Sequence, residues 1–215
     1  MFGKLAPTKI IWLTIALLVV AGLRPAQSDP EYATDYDKRL IKVASRTPTT
    51  DQVFRSVLRG VAFLPDTMKR FFIAHGVTVV ITPTLEDLGL PPGRSEYDAV
   101  NKRAIICERE TDGTATDFPR LHINTLHELG HAYDHLLGYP SRKAGFREVY
   151  FQEALLVPQE HRARLAYFLQ PGAKGARECF ASLFACRYYR GDDRRLTALK
   201  ASFPITFALV DRLNE

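Results

Sequence analysis

Hydrophobic and polar positions alternate along this chain with two different periods, and the change of period outlines the elements. Val53, Val57, Leu58 and Val61 recur at helical spacing in and just after "TTDQVFRSVLRG", and Thr49 with Gln52 fits a capping box at the start of that helix. Pro65 opens a second short helix that runs through Ala74 and ends at Gly76. "VTVVIT" (Val77–Thr82) is a β-branched run closed by Pro83, the pattern of a buried strand. "LEDLGLPPGRS" reads as a loop. "EYDAVNKRAIIC" carries a second strand signal, strongest at Ala104–Cys107, and a polar loop follows it.

From Leu121 onward the apolar positions fall at helical spacing. One helix ends at Gly138; others are expected near Arg147–Val157 and near Gln159–Leu169, the latter with Pro158 as its first residue. "QPGAKGA" breaks the run, "RECFASLFACRYY" resumes it, and Asp192–Ser202 and Pro204–Leu213 predict two more helices. Helices and strands first, then helices alone, is an α+β order for one domain. Residues 29–52 are expected to be an N-terminal arm, polar and weakly patterned over Glu31–Ser45, and 53–215 the folded domain.

The first 28 residues differ in kind. Lys4 and Lys9 precede a 14-residue apolar run, Ile10–Leu23, and Ala26-Gln27-Ser28 offers small residues where a signal peptidase reads. Fourteen residues span about 21 Å as a helix, short of a bilayer core of about 30 Å. Residues 1–28 therefore read as a signal peptide for a secreted or periplasmic protein. An uncleaved, outward-facing membrane anchor is the alternative. The net charge of +5 includes Lys4, Lys9 and Arg24 of this leader, which has no acid. The remaining +2 gives no ground for a nucleic-acid partner. At 46% hydrophobic and 25% charged the composition is that of an ordinary globular protein. Three cysteines are an odd number for an oxidising compartment. Cys179 and Cys186, seven apart on one helix, lie too far apart to bond each other. Either Cys107 pairs with one of them or all three are buried thiols.

The candidate chemistry lies in "TLHELGHAYDHL" (residues 125–136). His127 and His131 are four apart and project from one helix face toward a common point, as the first two ligands of a tetrahedral zinc ion must. Glu128, about 100° round the helix, is placed to take a proton from water activated by the metal. Against this, Thr125 and Glu128 also fit a capping box, which would make the glutamate structural. A third ligand must come from elsewhere. Asp134 and Leu137 stand where a metzincin has glycine and histidine, which excludes that class. His135 continues away from the convergence point and reads as a solvated side chain. Glu153 and Glu178 are the candidates. Glu178 opens a strongly apolar helix where an unpaired acid is costly, and Glu153 reads more readily as a surface acid. Asp134 shares a side with both histidines, and it reads either as the acceptor of the second ring N–H of one of them or as a simple surface acid.

"HELGHAYDHLLGY" followed by "ARECFASLFACRYYRGDDRRLTALKASFPITFALVDRLN" resembles the catalytic domain of anthrax lethal factor and the related secreted Pro-Pro endopeptidases. Pro204-Ile205-Thr206-Phe207 matches the opening of that family's terminal helix, and the resemblance covers roughly residues 53–213. It implies a zincin-like fold of the gluzincin type, one Zn2+ held by His127, His131 and Glu178, Glu128 as general base, and a peptide or protein substrate. Two positions depart from the family pattern. Ser182 replaces a second acid four after the ligand glutamate, and Pro171 replaces a tyrosine thought to stabilise the oxyanion. A shift in "YFLQPGAKGA" would bring Tyr167 to that role. The expectation is an exported, monomeric zinc endopeptidase, with the strand ending at Cys107 as the cleft edge against which an extended peptide pairs. The alternative is a weak or inactive domain of the same fold that binds a peptide or protein partner.

Overall fold

A computed structural model describes residues 34–44 and 51–213. The leader and the Thr49 half of the expected capping box lie outside the described residues. None of the described helices is long and apolar enough to cross a membrane.

The stretch expected to be a surface arm instead builds the edge of the sheet. Thr34 and Asp37 form a reciprocal capping box that starts helix α1 (Asp35–Leu40), and strand β1 (Ile41–Val43) follows directly. Leu40 is fully buried, so this segment is anchored in the core. Its local polarity misled because its burial rests on only two apolar residues, Leu40 and Ile41, and on the Asp37 carboxylate, which meets Lys69 Nζ at 2.7 Å with both groups buried. Helices α2 (Asp51–Ala62) and α3 (Asp66–Ala74) come next. Gly76, at φ +75°, then turns the chain into β2 (Thr78–Thr82).

The second strand signal is a hairpin: β3 (Glu96–Asp98) pairs antiparallel with β4 (Arg103–Cys107). Asp98 makes the turn by accepting from the backbone N–H groups of Val100 and Asn101. The four strands lie in the order β1-β2-β4-β3, with β1, β2 and β4 parallel. Alternate residues of β2 and β4 point to opposite faces. Val79, Ile81, Ala104 and Ile106 join the main helical core. Val80, Ile105 and Cys107 pack under the loop through Leu85, Leu88 and Leu90. Since β4 is paired on both sides, it is not the cleft edge. That position belongs to β3.

Helix α4 (Phe118–Leu136) begins at Asp117, whose side chain accepts from Arg120 N. Thr125 is therefore deep within the helix, its hydroxyl donating to Leu121 O, and the capping-box reading of Glu128 fails. Helices α5 (Ala144–Leu156) and α6 (Gln159–Leu165) follow, with a single 3-10 turn at Ala166–Phe168. The supposed break at "QPGAKGA" is the first turn of α7 (Gly172–Tyr188), with Pro171 as its N-cap. Buried residues surround α7 on nearly every side, including Ala176, Cys179, Phe180, Leu183 and Phe184, which marks it as the central helix. Helices α8 (Arg194–Ser202) and α9 (Pro204–Arg212) cover it. Cys107, Cys179 and Cys186 are free thiols.

Candidate metal centre

Helix α4 packs between the sheet and α7, and its closest approach to α7 is at Gly130. A Cβ there would lie 2.6 Å from Ala181 O and 2.8 Å from Ala181 Cα, so only glycine permits this spacing. His127 lies about one turn before that glycine and His131 directly follows it. Glu178 is one turn before Ala181 on the facing helix. Close packing of two helices thus brings Glu178 to two histidines that precede it by 51 and 47 residues.

His127 Nε2 and His131 Nε2 lie 3.2 and 3.1 Å from the same oxygen, Glu178 Oε2. One ligand atom from each residue lies within 4.8 Å of the others, and the three form a group that could hold a metal ion. Glu178 is almost fully buried. Burial alone would raise its carboxyl pKa, but the two imidazoles outweigh that and hold it well below the usual range. Arg177 adds a contact at 3.2 Å to the other oxygen, Oε1. Burial lowers His131 to about 4, so its ring is neutral at ordinary pH. Burial also pushes Glu128 up to about 7; His127 opposes the shift and the Glu178 charge adds to it.

Around this group the structure departs from the sequence expectations in four places. The far nitrogen of His127, Nδ1, is 2.8 Å from Ser182 Oγ. Ser182 therefore takes an orienting position beside the His127 ring. Asp134 does not hold a ring nitrogen: its two oxygens accept from Ser141 N and Ser141 Oγ at 2.9 and 2.6 Å, tying the end of α4 to the loop that follows. His135 is not freely solvated, since its Nδ1 lies 2.9 Å from the Tyr97 hydroxyl and links α4 to β3. Glu153 is neither a surface acid nor near the group. It is buried and accepts from Ile205 N, Thr206 N and Thr206 Oγ1 at the start of α9.

Tyr167 reaches the group from the 3-10 turn. Its hydroxyl donates to Glu178 Oε2 at 2.9 Å, while about half of the side chain stays exposed. Ser95, His127, Glu128 and Tyr167 are shared by two adjoining cavities, so the cluster lies along a continuous cleft bordered by β3.

The molecule is thus a mixed helix-and-strand protein with a small sheet and a His-His-Glu group suited to a metal ion. No protein-family model matches the sequence, and no curated protein does. Among solved structures, the Pro-Pro endopeptidase PPEP-2 from Paenibacillus alvei is similar in fold, with a TM-score of 0.56 over 84% of this chain and 99% of that one, at 16% identity. At that identity the likeness establishes the fold.

Proposed function

We propose that this chain is an exported zinc-dependent endopeptidase. The observation that carries the reading is the convergence of His127 Nε2, His131 Nε2 and Glu178 Oε2 at one end of a cleft that also holds Glu128 and Tyr167. Ligands about 2.0–2.1 Å from a tetrahedral zinc ion lie about 3.3 Å from one another. The histidine-to-glutamate spacings of 3.1 and 3.2 Å fit that figure, and two imidazoles with one carboxylate are a hydrolytic donor set. Bound there, zinc supplies a Lewis acid for the scissile carbonyl and lowers the pKa of water toward neutrality.

The chain's own groups do the rest. Glu128 takes a proton from the attacking water and delivers it to the leaving amine, in a buried setting that suits a carboxyl group to hold and release it. Ser182 fixes the His127 ring so that Nε2 faces the cleft. Tyr167 has a hydroxyl proton to donate to a developing oxyanion, a contact worth about 10²–10³ in rate. The exposed side of β3 offers main-chain groups to an extended peptide. Export rests on the charged and apolar pattern of residues 1–28.

The test incubates the full chain, with added zinc, with a diverse peptide pool in the presence and absence of chelator, and measures metal content alongside. Chelator-sensitive cleavage is expected, lost in Glu128→Gln with zinc retained. Glu178→Ala should lose the metal. A pool left intact by the zinc-loaded protein would overturn the peptidase reading.

A further inference from the structure

The cleft continues past His127 into a cavity whose wall is made by side chains the proposed hydrolysis does not use. Arg195, from the first turn of α8, and Arg120, from the first turn of α4, both face it, together with Arg94 and Glu110. Its floor is shared with Glu128 and Tyr167, so whatever occupies it lies next to the reacting atoms.

The charges in this cavity are not balanced. Glu110 is shared by Arg94 and Arg120, each at 3.8 Å, too long for a hydrogen bond to either. Among the described residues no carboxylate lies within ion-pair distance of the Arg195 guanidinium. Its neighbour Asp193 is engaged in capping α8, accepting from Arg195 N and Leu196 N. One face of the guanidinium instead covers the Phe168 ring, with the guanidinium carbon 5.6 Å from the ring centroid. Burial lowers the pKa of Arg195, and the charge of Arg120 lowers it further. The two arginines thus bring like charge to one cavity, and Arg195 is half withdrawn from water. A folded chain keeps such an arrangement at a cost unless an anion relieves it.

We propose that this cavity is a specificity pocket for an acidic side chain, an Asp or Glu of the peptide substrate within about two residues of the scissile bond, held by Arg195 and Arg120. The inference rests on the peptidase reading. A planar guanidinium presents a fork of donors that matches a carboxylate with two parallel hydrogen bonds. Glu110 holds Arg120 at the rim without saturating it. The Phe168 ring excludes water from one face of Arg195 and so strengthens its attraction for a carboxylate. The charge of the whole molecule, small outside the leader, would not suggest acidic substrates. The local concentration of arginine beside the proposed catalytic residues does.

The test uses two fluorescein-labelled peptide pools, randomised except for one central position that is Asp/Glu in the first and Asn/Gln in the second. Binding to the full-chain Glu128→Gln variant is followed by anisotropy. The acidic pool should bind about tenfold tighter or more, as expected for a charge-assisted pair in a partly dry site. Arg195→Met combined with Arg120→Gln should bring the two pools within about twofold, with zinc content and thermal midpoint unchanged. Arg195→Glu should reverse the preference toward a pool with Lys at the central position, which no merely structural role would do. Equal binding of the two pools, or a preference that survives the double substitution, overturns the proposal. Cleavage by the wild-type chain separates this from the peptidase reading. Cut sites without acidic neighbours would end the specificity pocket and leave the peptidase standing. A firm acidic preference with no chelator-sensitive cleavage would leave an acidic-peptide binding site and end the peptidase.

Discussion

Gly130→Ala tests whether the metal centre depends on the close contact of α4 with α7. The added Cβ would meet Ala181 Cα at 2.8 Å and Ala181 O at 2.6 Å. Carbon atoms rest at about 3.5 Å or more, so the helices must part by about 0.7 Å at this level. The obstacle is backbone on both sides, and no rotamer change can relieve it. Overpacking of this kind costs about 1–3 kcal/mol. The better helix propensity of alanine returns about 1 kcal/mol of that. The net loss is then about 1 kcal/mol, and in a domain of this size about 2–4 °C in thermal midpoint.

The effect on the site should be larger than the effect on the fold. Glu178 is one turn from Ala181, and a displacement of about 0.7 Å exceeds the tolerance of about 0.5 Å for a working ligand geometry. Zinc affinity should fall by about 10–100-fold, as it does when an orienting partner of a ligand is removed. The assay is competition with a chromophoric chelator, paired with thermal unfolding of the metal-free chain. A variant with wild-type zinc affinity and an unchanged or raised midpoint would refute the argument, because it would mean that the helices are not held at the distance that glycine permits.

Ser182→Ala removes the partner of His127 Nδ1, and zinc affinity measured by the same competition should drop about 10–100-fold with little change in the metal-free midpoint. Lys69→Met leaves the Asp37 carboxylate buried without its ammonium partner; urea unfolding should show a loss of about 3–5 kcal/mol, and a loss below 1 kcal/mol would mean that the pair is not buried in solution. The Asp98 carboxyl is raised somewhat by burial, but the hydrogen bonds of Asn101 and the Arg103 guanidinium prevail and hold it at about 2. A carboxyl depressed on folding contributes stability above its unfolded pKa of about 4. That share is lost as pH falls from about 4 toward about 2, so Asp98→Asn should lower stability near neutrality and flatten the curve between about pH 4 and about pH 2.

The helices and the two central strands were legible because period and punctuation agreed: Pro65, Gly76, Gly138 and Pro204 sit where their elements begin or end. The hairpin between β3 and β4 was not, because its turn is made by an Asp98 side chain and by Lys102 at φ 53°, neither of which stands out as a turn signal. The arm was misjudged for a similar reason. A six-residue helix and a three-residue strand are too short to show a period. Among site residues, the pair on α4 could be read from spacing alone. Glu178 followed from an acid set in an apolar helix. Asp134 was read from its side of the helix and led elsewhere, since sequence gives that side but not which of two nearby partners, a histidine or Ser141, offers better donors. Asp134 takes two hydrogen bonds from a single serine.

Tyr167 shows where position in sequence and position in space come apart. It stands eleven residues before Glu178, four earlier than the tyrosine of the resembling family, yet its hydroxyl touches the same carboxylate. The path between the two runs through the start of α7. Pro171 and Gly172 open that helix more than a turn before Glu178, and the 3-10 turn at Ala166–Phe168 doubles the chain back beside it. Two side chains lock this return. The Tyr150 hydroxyl donates to Phe168 O at 2.5 Å, and the missing Cβ of Gly175 leaves room for that hydroxyl and for Gln170 O, which it would otherwise meet at 2.2 and 2.3 Å. The glycines of "QPGAKGA" read as helix breakers because breaking is their commonest use. Here Gly175 is inside the helix to admit the loop that carries the tyrosine, so the residues that made the segment look irregular are the ones that bring Tyr167 to Glu178.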